Sequence, residues 1–183
     1  MGRREQRQNL KKLRQGRRQG YEAVVLQHYR SVYRFMAYLT RDTSLAEELT
    51  QETFASAWAG IDSFKGRALI GTWLHRIAYH KFIDSKRRLQ RDAALMDGLE
   101  PQNDAAPASS DPLHQLAADE NYRLLYEAMR MLKSDEYTVV ALHYIQGLSF
   151  RQAAKVLDRP IGTVKWQTSR ALKSLKSYLT GRV

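Results

Sequence analysis

Residues 92–112, DAALMDGLEPQNDAAPASSDP, constrain the chain more than any other stretch, because they hold three of its four prolines and offer no core face. Proline interrupts helices and sheet ladders, and small polar residues bury little apolar surface. The segment therefore reads as a linker, and it cuts a chain of 183 residues into two blocks that each need a core of their own. It is also acidic, with five carboxylates and no Lys or Arg. That acidity fits a solvated connector, or mimicry of nucleic acid in a basic groove of a partner.

Everything around the linker is basic. The formal charge of the whole chain is +11, and residues 1–20 alone hold eight basic residues against Glu5. Residues 21–91 carry 11 basic and 7 acidic residues, and residues 113–183 carry 11 and 6. Such a surplus favours polyanions, most often nucleic acid. The N-terminal arm fits a solubilising tail, or weak attraction to phosphates or a membrane surface. No apolar run reaches the roughly 20 residues needed to cross a bilayer, so no membrane insertion is expected. The first twenty residues place no apolar stretch after their charges, unlike a secretory signal. Cysteine is absent, which excludes disulfides, thiol nucleophiles and thiolate metal sites.

Both blocks read as all-α, two small helical domains, since sustained period-two alternation and hairpin dipeptides such as Asn-Gly are missing. In 21–91, Val24, Val25, Tyr29, Val32, Tyr33, Met36 and Leu39 recur at three- and four-residue spacing. Asp42, Thr43 and Ser44 are cap candidates for a second helix that carries Glu47 and Glu48 early, continues through Leu45, Leu49, Phe54, Ala57 and Trp58, and stops near Gly60. After a loop, a third helix is expected from Thr72, with Trp73, Leu74, Ile77, Ala78 and Phe82 inward and a basic end at Lys86, Arg87, Arg88 and Arg91. In 113–183, helices are expected near Leu116–Leu132 and Asp135–Gln146, followed by two short ones. In that last pair, Ser149 is placed to cap by accepting from an orphan N–H, and Ala153, Ala154, Val156 and Leu157 face inward. Asp158-Arg159-Pro160 breaks the first helix, and the second begins around Gly162-Thr163 with Val164 inward. This is a helix-turn-helix pattern, whose second helix enters a major groove. Its expected outward face is Thr163, Lys165, Trp166, Gln167 and Arg170.

Two separated stretches, LAEELTQETFASAWAGIDSFKGRALIGTWLHRIAYHKFIDSKRR and LHYIQGLSFRQAAKVLDRPIGTVKWQTSRALKSL, resemble regions 2 and 4 of extracytoplasmic-function (ECF) sigma factors, the minimal group of the bacterial sigma-70 family. The resemblance implies a dissociable subunit that is not an enzyme and needs no cofactor or metal. Such factors bind core RNA polymerase, direct it to promoter DNA and help open the duplex. They are commonly held inactive by an anti-sigma factor, and they work in the cytoplasm, on the nucleoid when in holoenzyme. Region 2 would span 21–91, the connector 92–112 and region 4 residues 113–183, with the arm at 1–20 outside the shared pattern.

Carried over residue by residue, Glu47, Glu48, Gln51 and Glu52 would dock on the basic coiled coil of the largest subunit's clamp. Glu47 and Glu48 also suit the positive end of a helix dipole, and Leu49 and Phe54 read as core. The loop Asp62–Gly71 would receive a flipped base of the −10 element, with Phe64, Lys65 and Arg67 available, although Phe64 equally fits inward packing. His75, Arg76, Tyr79, His80 and Lys81 would face the single strand, where backbone charge and base faces are both open, while Trp73 reads as core. Lys86, Arg87 and Arg88 would hold upstream phosphates. Arg151, Thr163, Lys165, Trp166, Gln167, Arg170 and Lys173 would lie at the −35 element, Lys or Arg gripping guanine and Gln adenine. Many relatives have Ser-Arg in place of Trp166-Gln167, a His in place of Ser169, and Arg-Asn in place of Tyr79-His80. These departures bear on which promoter sequence is read and leave docking and fold untouched.

An enzyme reading finds little to stand on. His75 and His80 lie five apart, about 140° around a helix, so they miss the same-face spacing of a zinc pair. No Gly-rich phosphate loop or nucleophile elbow is present. A free-standing helix-turn-helix regulator explains residues 147–175 but leaves the acidic-faced helix of the first block without a purpose.

Overall fold

The computed structural model describes residues 17–64, 66, 68–95 and 120–180, and every regular element among them is helical. The chain divides into two compact units, Met1–Ala106 and Pro107–Val183. The expected arm up to position 16, the expected connector from 96 to 112, the expected helix start at Leu116, and both Lys65 and Arg67 lie outside the described residues.

The first unit contains α1 (Arg17–Thr40), α2 (Thr43–Gly60) and α3 (Ile70–Leu95), each packed on the other two. The helical spacing of apolar residues dictates the packing. Val32, Phe35 and Met36 of α1, Leu49 of α2 and Leu74 of α3 are almost wholly buried, each burial worth about 1.5–3 kcal/mol. Phe35 completes the α1 stripe one position before Met36, whereas Tyr29 stays partly exposed. The α1–α2 turn is tight because Arg41 takes a left-handed conformation (φ 56°) and Asp42 caps α2 by accepting from the Leu45 N–H at 3.0 Å. Two buried threonines, Thr50 and Thr53, satisfy their hydroxyls by donating back to the carbonyls of Ala46 and Leu49.

A short 3-10 turn, Ile61–Ser63, leads out of α2. Helix α3 starts two residues before the expected Thr72, because Ile70 is buried and anchors the first turn. It runs on to Leu95, past the expected domain end at 91, since no Gly or Pro intervenes before Gly98.

The second unit contains α4 (Glu120–Arg130), α5 (Ser134–Val140), α6 (Phe150–Leu157) and α7 (Ile161–Thr180), with α4, α5 and α6 all packed on α7. Helix α5 passes directly into a π turn, Ala141–Ile145, closed by a bond from the Gln146 N–H to the Ala141 carbonyl at 2.9 Å. Gly147 then reverses the chain at φ 67°, a conformation that favours glycine. Ser149 and Gln152 form a reciprocal capping box that starts α6, each side chain accepting from the other's backbone N–H. Asp158 ends α6 in the left-handed region at φ 54°, and its N–H reaches the Ala154 carbonyl. Three residues later α7 begins, giving the helix-turn-helix.

Two ion pairs tie that motif to the start of α5. Asp135 meets Arg159 at 3.0 Å, and Glu136 meets Arg170 at 2.8 Å. The second oxygen of Glu136 accepts from the Lys133 N–H at 3.3 Å, so this buried carboxylate caps α5 and holds α7 together.

Candidate functional site

The acids of α2 come out where the sequence puts them. Glu47, Glu48 and Gln51 are exposed and Glu52 is half-buried. Two of them are engaged by α3: Glu52 pairs with Lys81 at 3.2 Å, and Glu48 with Arg88 at 3.8 Å. Residues expected at the polymerase and residues expected at DNA therefore lie side by side on one surface of the first unit. Of the expected DNA-facing groups on α3, Arg76 and His80 are exposed. Toward its end Arg87 and Arg88 are exposed and Lys86 is half-buried, with Arg87 reaching Asp84 at 3.7 Å.

Two expected outward residues of this unit, His75 and Tyr79, are turned inward, and Phe64 takes the inward of its two expected places. His75 is 3% exposed, its Nδ1 against the Gly71 carbonyl at 2.7 Å and its Nε2 3.4 Å from the Ser31 hydroxyl, with the Phe35 ring beside it. Tyr79 follows one turn later on the same face and is buried with it. Phe64 is buried and stacks on Trp73 with centroids 4.7 Å apart, so its ring anchors the loop rather than offering a face to a base. The reason is shared: each lies beside a core position, and an aromatic ring packed there removes apolar surface from water.

His28 is a half-buried group that periodicity alone does not single out. Its Nε2 is buried without a hydrogen-bond partner, and burial, then the neighbouring His75, push its pKa below the ordinary histidine value. A side chain at Gly71 would bring a Cβ to 3.3 Å from the His28 ring, so the missing Cβ lets α3 approach α1. At the far end of α1, the Tyr21 hydroxyl donates to the Phe54 carbonyl, and burial raises its pKa to about 12. The Tyr21 ring meets Trp58 edge-on at 4.8 Å, which leaves Trp58 partly exposed instead of in the core.

In the second unit, Arg151, Lys165, Trp166, Arg170 and Lys173 are exposed and Thr163 is half-buried. Gln167 departs from its expected place: it is 7% exposed, its Oε1 buried without a partner. It lies three residues after Val164 and four before Ala171, both buried, so it belongs to the inward stripe and is withdrawn from base reading. Arg170 is held by Glu136 and lies over the Trp166 ring, 5.3 Å from its centroid. Sequence spacing gave no hint of Glu136 as its anchor, although two acids in the first turn of α5 were visible. Among the described residues no group of three or more His, Cys, Asp or Glu side chains could hold a metal, and no helix is long and apolar enough to cross a membrane.

A capped helix-turn-helix with a basic and aromatic outer face, joined in one chain to a three-helix unit with an acidic helix beside a basic one, defines a DNA-binding protein with two helical modules. Comparison with known proteins makes this specific. The family model for sigma-70 region 2 matches residues 24–92, and that for sigma-70, region 4 matches residues 122–175. ECF RNA polymerase sigma factor SigX of Bacillus subtilis is 30% identical over 154 residues, covering 83% of this chain and 79% of that protein. ECF RNA polymerase sigma factor SigE of Mycolicibacterium smegmatis is 31% identical over 87% of this chain, which spans 61% of that longer protein. Among solved structures, the sigma factor RpoE in complex with the anti-sigma factor NepR, from Bartonella quintana, superposes with a TM-score of 0.72 at 26% identity, over 87% of this chain and 96% of that one. The chain belongs to the ECF group of the sigma-70 family. It is a sigma factor for promoter recognition, a family of transcription initiation factors.

Proposed function

We propose that this sigma factor docks on the basic coiled coil of the largest subunit's clamp through Glu47, Glu48, Gln51 and Glu52 and, once seated, supports melting at the −10 element. The exposed acidic row of α2 carries this reading. An exposed ion pair contributes only about 0–1 kcal/mol, so a cluster of basic groups on a partner competes readily with Arg88 and Lys81 for Glu48 and Glu52. Docking would then release those two cations toward DNA. Arg76, His80 and Lys81 contact the displaced single strand, with Lys65 and Arg67 in the preceding loop, and Lys86, Arg87 and Arg88 grip upstream phosphates. Extruding a base costs a few kcal/mol, which contacts to polymerase and strand together must offset. The region-4 module reads the −35 element from α7 with Lys165, Trp166 and Arg170, assisted by Arg151, Thr163 and Lys173.

In this reading residues 21–91 and 113–183 act as the two functional modules, in the cytoplasm and on the nucleoid when in holoenzyme. The neighbour solved with an anti-sigma factor supports a protein inhibitor as a further partner. The test is association with core polymerase after Glu48→Ala and Gln51→Ala together, with the fold checked by circular dichroism. Binding falls at least tenfold if α2 docks, and retention of wild-type binding rejects it. Run-off transcription on a promoter library then measures recognition and melting in one assay. Tight specific binding to promoter DNA without core would favour a free-standing regulator instead.

A further inference from the structure

The outward side of α7 is narrower than its sequence implies. Val164, Gln167, Thr168, Ala171 and Leu175 are buried, which leaves Lys165, Trp166, Ser169, Arg170 and Lys173 exposed along the helix. Trp166 stands two residues from Val164, about 200° around the helix, on the side away from the buried stripe. Trp166 and Lys173 therefore both face a groove against which α7 is laid, and of the two only Trp166 offers a broad apolar surface. It is 59% exposed, a large apolar surface left in water. The ring is also held in place: Arg170 lies over it at 5.3 Å, and the Arg170 Nε is fixed at 2.8 Å by buried Glu136, whose other oxygen is taken by the Lys133 N–H.

An indole carries one N–H donor and no acceptor, so it cannot receive a bond from the amino groups of adenine or cytosine. Its broad apolar edge instead suits the one apolar group in the major groove, the 5-methyl of thymine. Gln167, the residue chemically suited to adenine, is turned into the core. We propose that Trp166, positioned by Arg170 and Glu136, is a specificity-determining residue that reads a thymine in the −35 element through its 5-methyl group. This rests on the reading of α7 as the −35 recognition helix.

The experiment uses holoenzyme assembled from the full chain and core polymerase. A −35 library is first enriched for binding, and each thymine of the selected element, on either strand, is then replaced singly by uracil, which removes only the methyl. One replacement should weaken wild-type binding about fourfold, the effect of exposing one methyl group. Trp166→Phe should keep that discrimination, and Trp166→Ala should bind the thymine and uracil forms equally. Because Trp166 is exposed, both variants should keep the wild-type helical signal and melting temperature. The assignment is overturned if no thymine is sensitive, or if Trp166→Ala remains as sensitive as wild type. It is also overturned if Trp166→Ala weakens association with core while thymine discrimination persists, which would make the ring a protein contact. No enrichment at −35 at all, with transcription still initiating, overturns the reading of α7 itself.

Discussion

The two modules treat their charged side chains differently. On the first, Lys81 and Arg88 of α3 pair with Glu52 and Glu48 of α2 across a surface where both partners meet water. On the second, Arg170 pairs with Glu136, which is buried and also caps α5. Exposed pairs cost little to break and are screened by salt. A carboxylate with little water around it loses much more when its partner leaves. The first arrangement would cost a competing partner little to displace, whereas the second holds a side chain in one place. Under the proposed function, a surface that must exchange partners and a surface that must present a fixed pattern would be built from the same residue types by changing burial.

The largest expected effect lies beneath the first of these surfaces. Leu74→Ala should remove about 2–5 kcal/mol from the first unit, measured by chemical denaturation, because a fully buried leucine leaves a cavity. Glu136→Ala should cost the second unit about 1–3 kcal/mol and broaden −35 selectivity, since it removes the Arg170 anchor and leaves the Lys133 N–H without its acceptor. Ser149→Ala should cost about 1 kcal/mol in the melting of the same unit, the loss of one side of a capping box. Glu52→Gln should change stability by less than about 1 kcal/mol, and that small difference should shrink further at high salt. If Glu52→Gln destabilises as much as Glu136→Ala, the contrast between the modules is wrong.

Local chemistry was the legible part of this fold. The Asp42 and Ser149 caps, the break at Asp158-Arg159-Pro160 and the helical period of α1 are written in neighbouring residues, and the structure contains all of them. Facing was harder to read wherever residue type and helical register disagreed. Gln167 and His75 carry polar groups that suit an outward place, although Val164 and Ala171 on one helix, and Gly71 and Ala78 on the other, put them on the inward stripe. Register prevailed because a neighbouring helix covers a continuous strip and takes whatever side chains stand on it. His75 accommodates this by bonding to Gly71 and Ser31. The Glu136–Arg170 pair bridges 34 positions of sequence and depends on how α5 meets α7, which no local pattern records.

Helix α3 is 26 residues long, and the exposed residues Arg76, His80 and Arg87 fall within about 40° of one another around it. From Arg76 to Arg87 the unbroken helix advances about 16 Å, close to five base-pair rises of a duplex. If the proposed DNA contacts hold, the helix would be a ruler: it would set, in hydrogen-bonded backbone rather than in loop, how far the strand-separating contacts stand from the upstream grip. An insertion of one residue within it would shift that interval by only about 1.5 Å but swing the grip by about 100° around the axis. Phase along the duplex, more than distance, is what such a strut would protect.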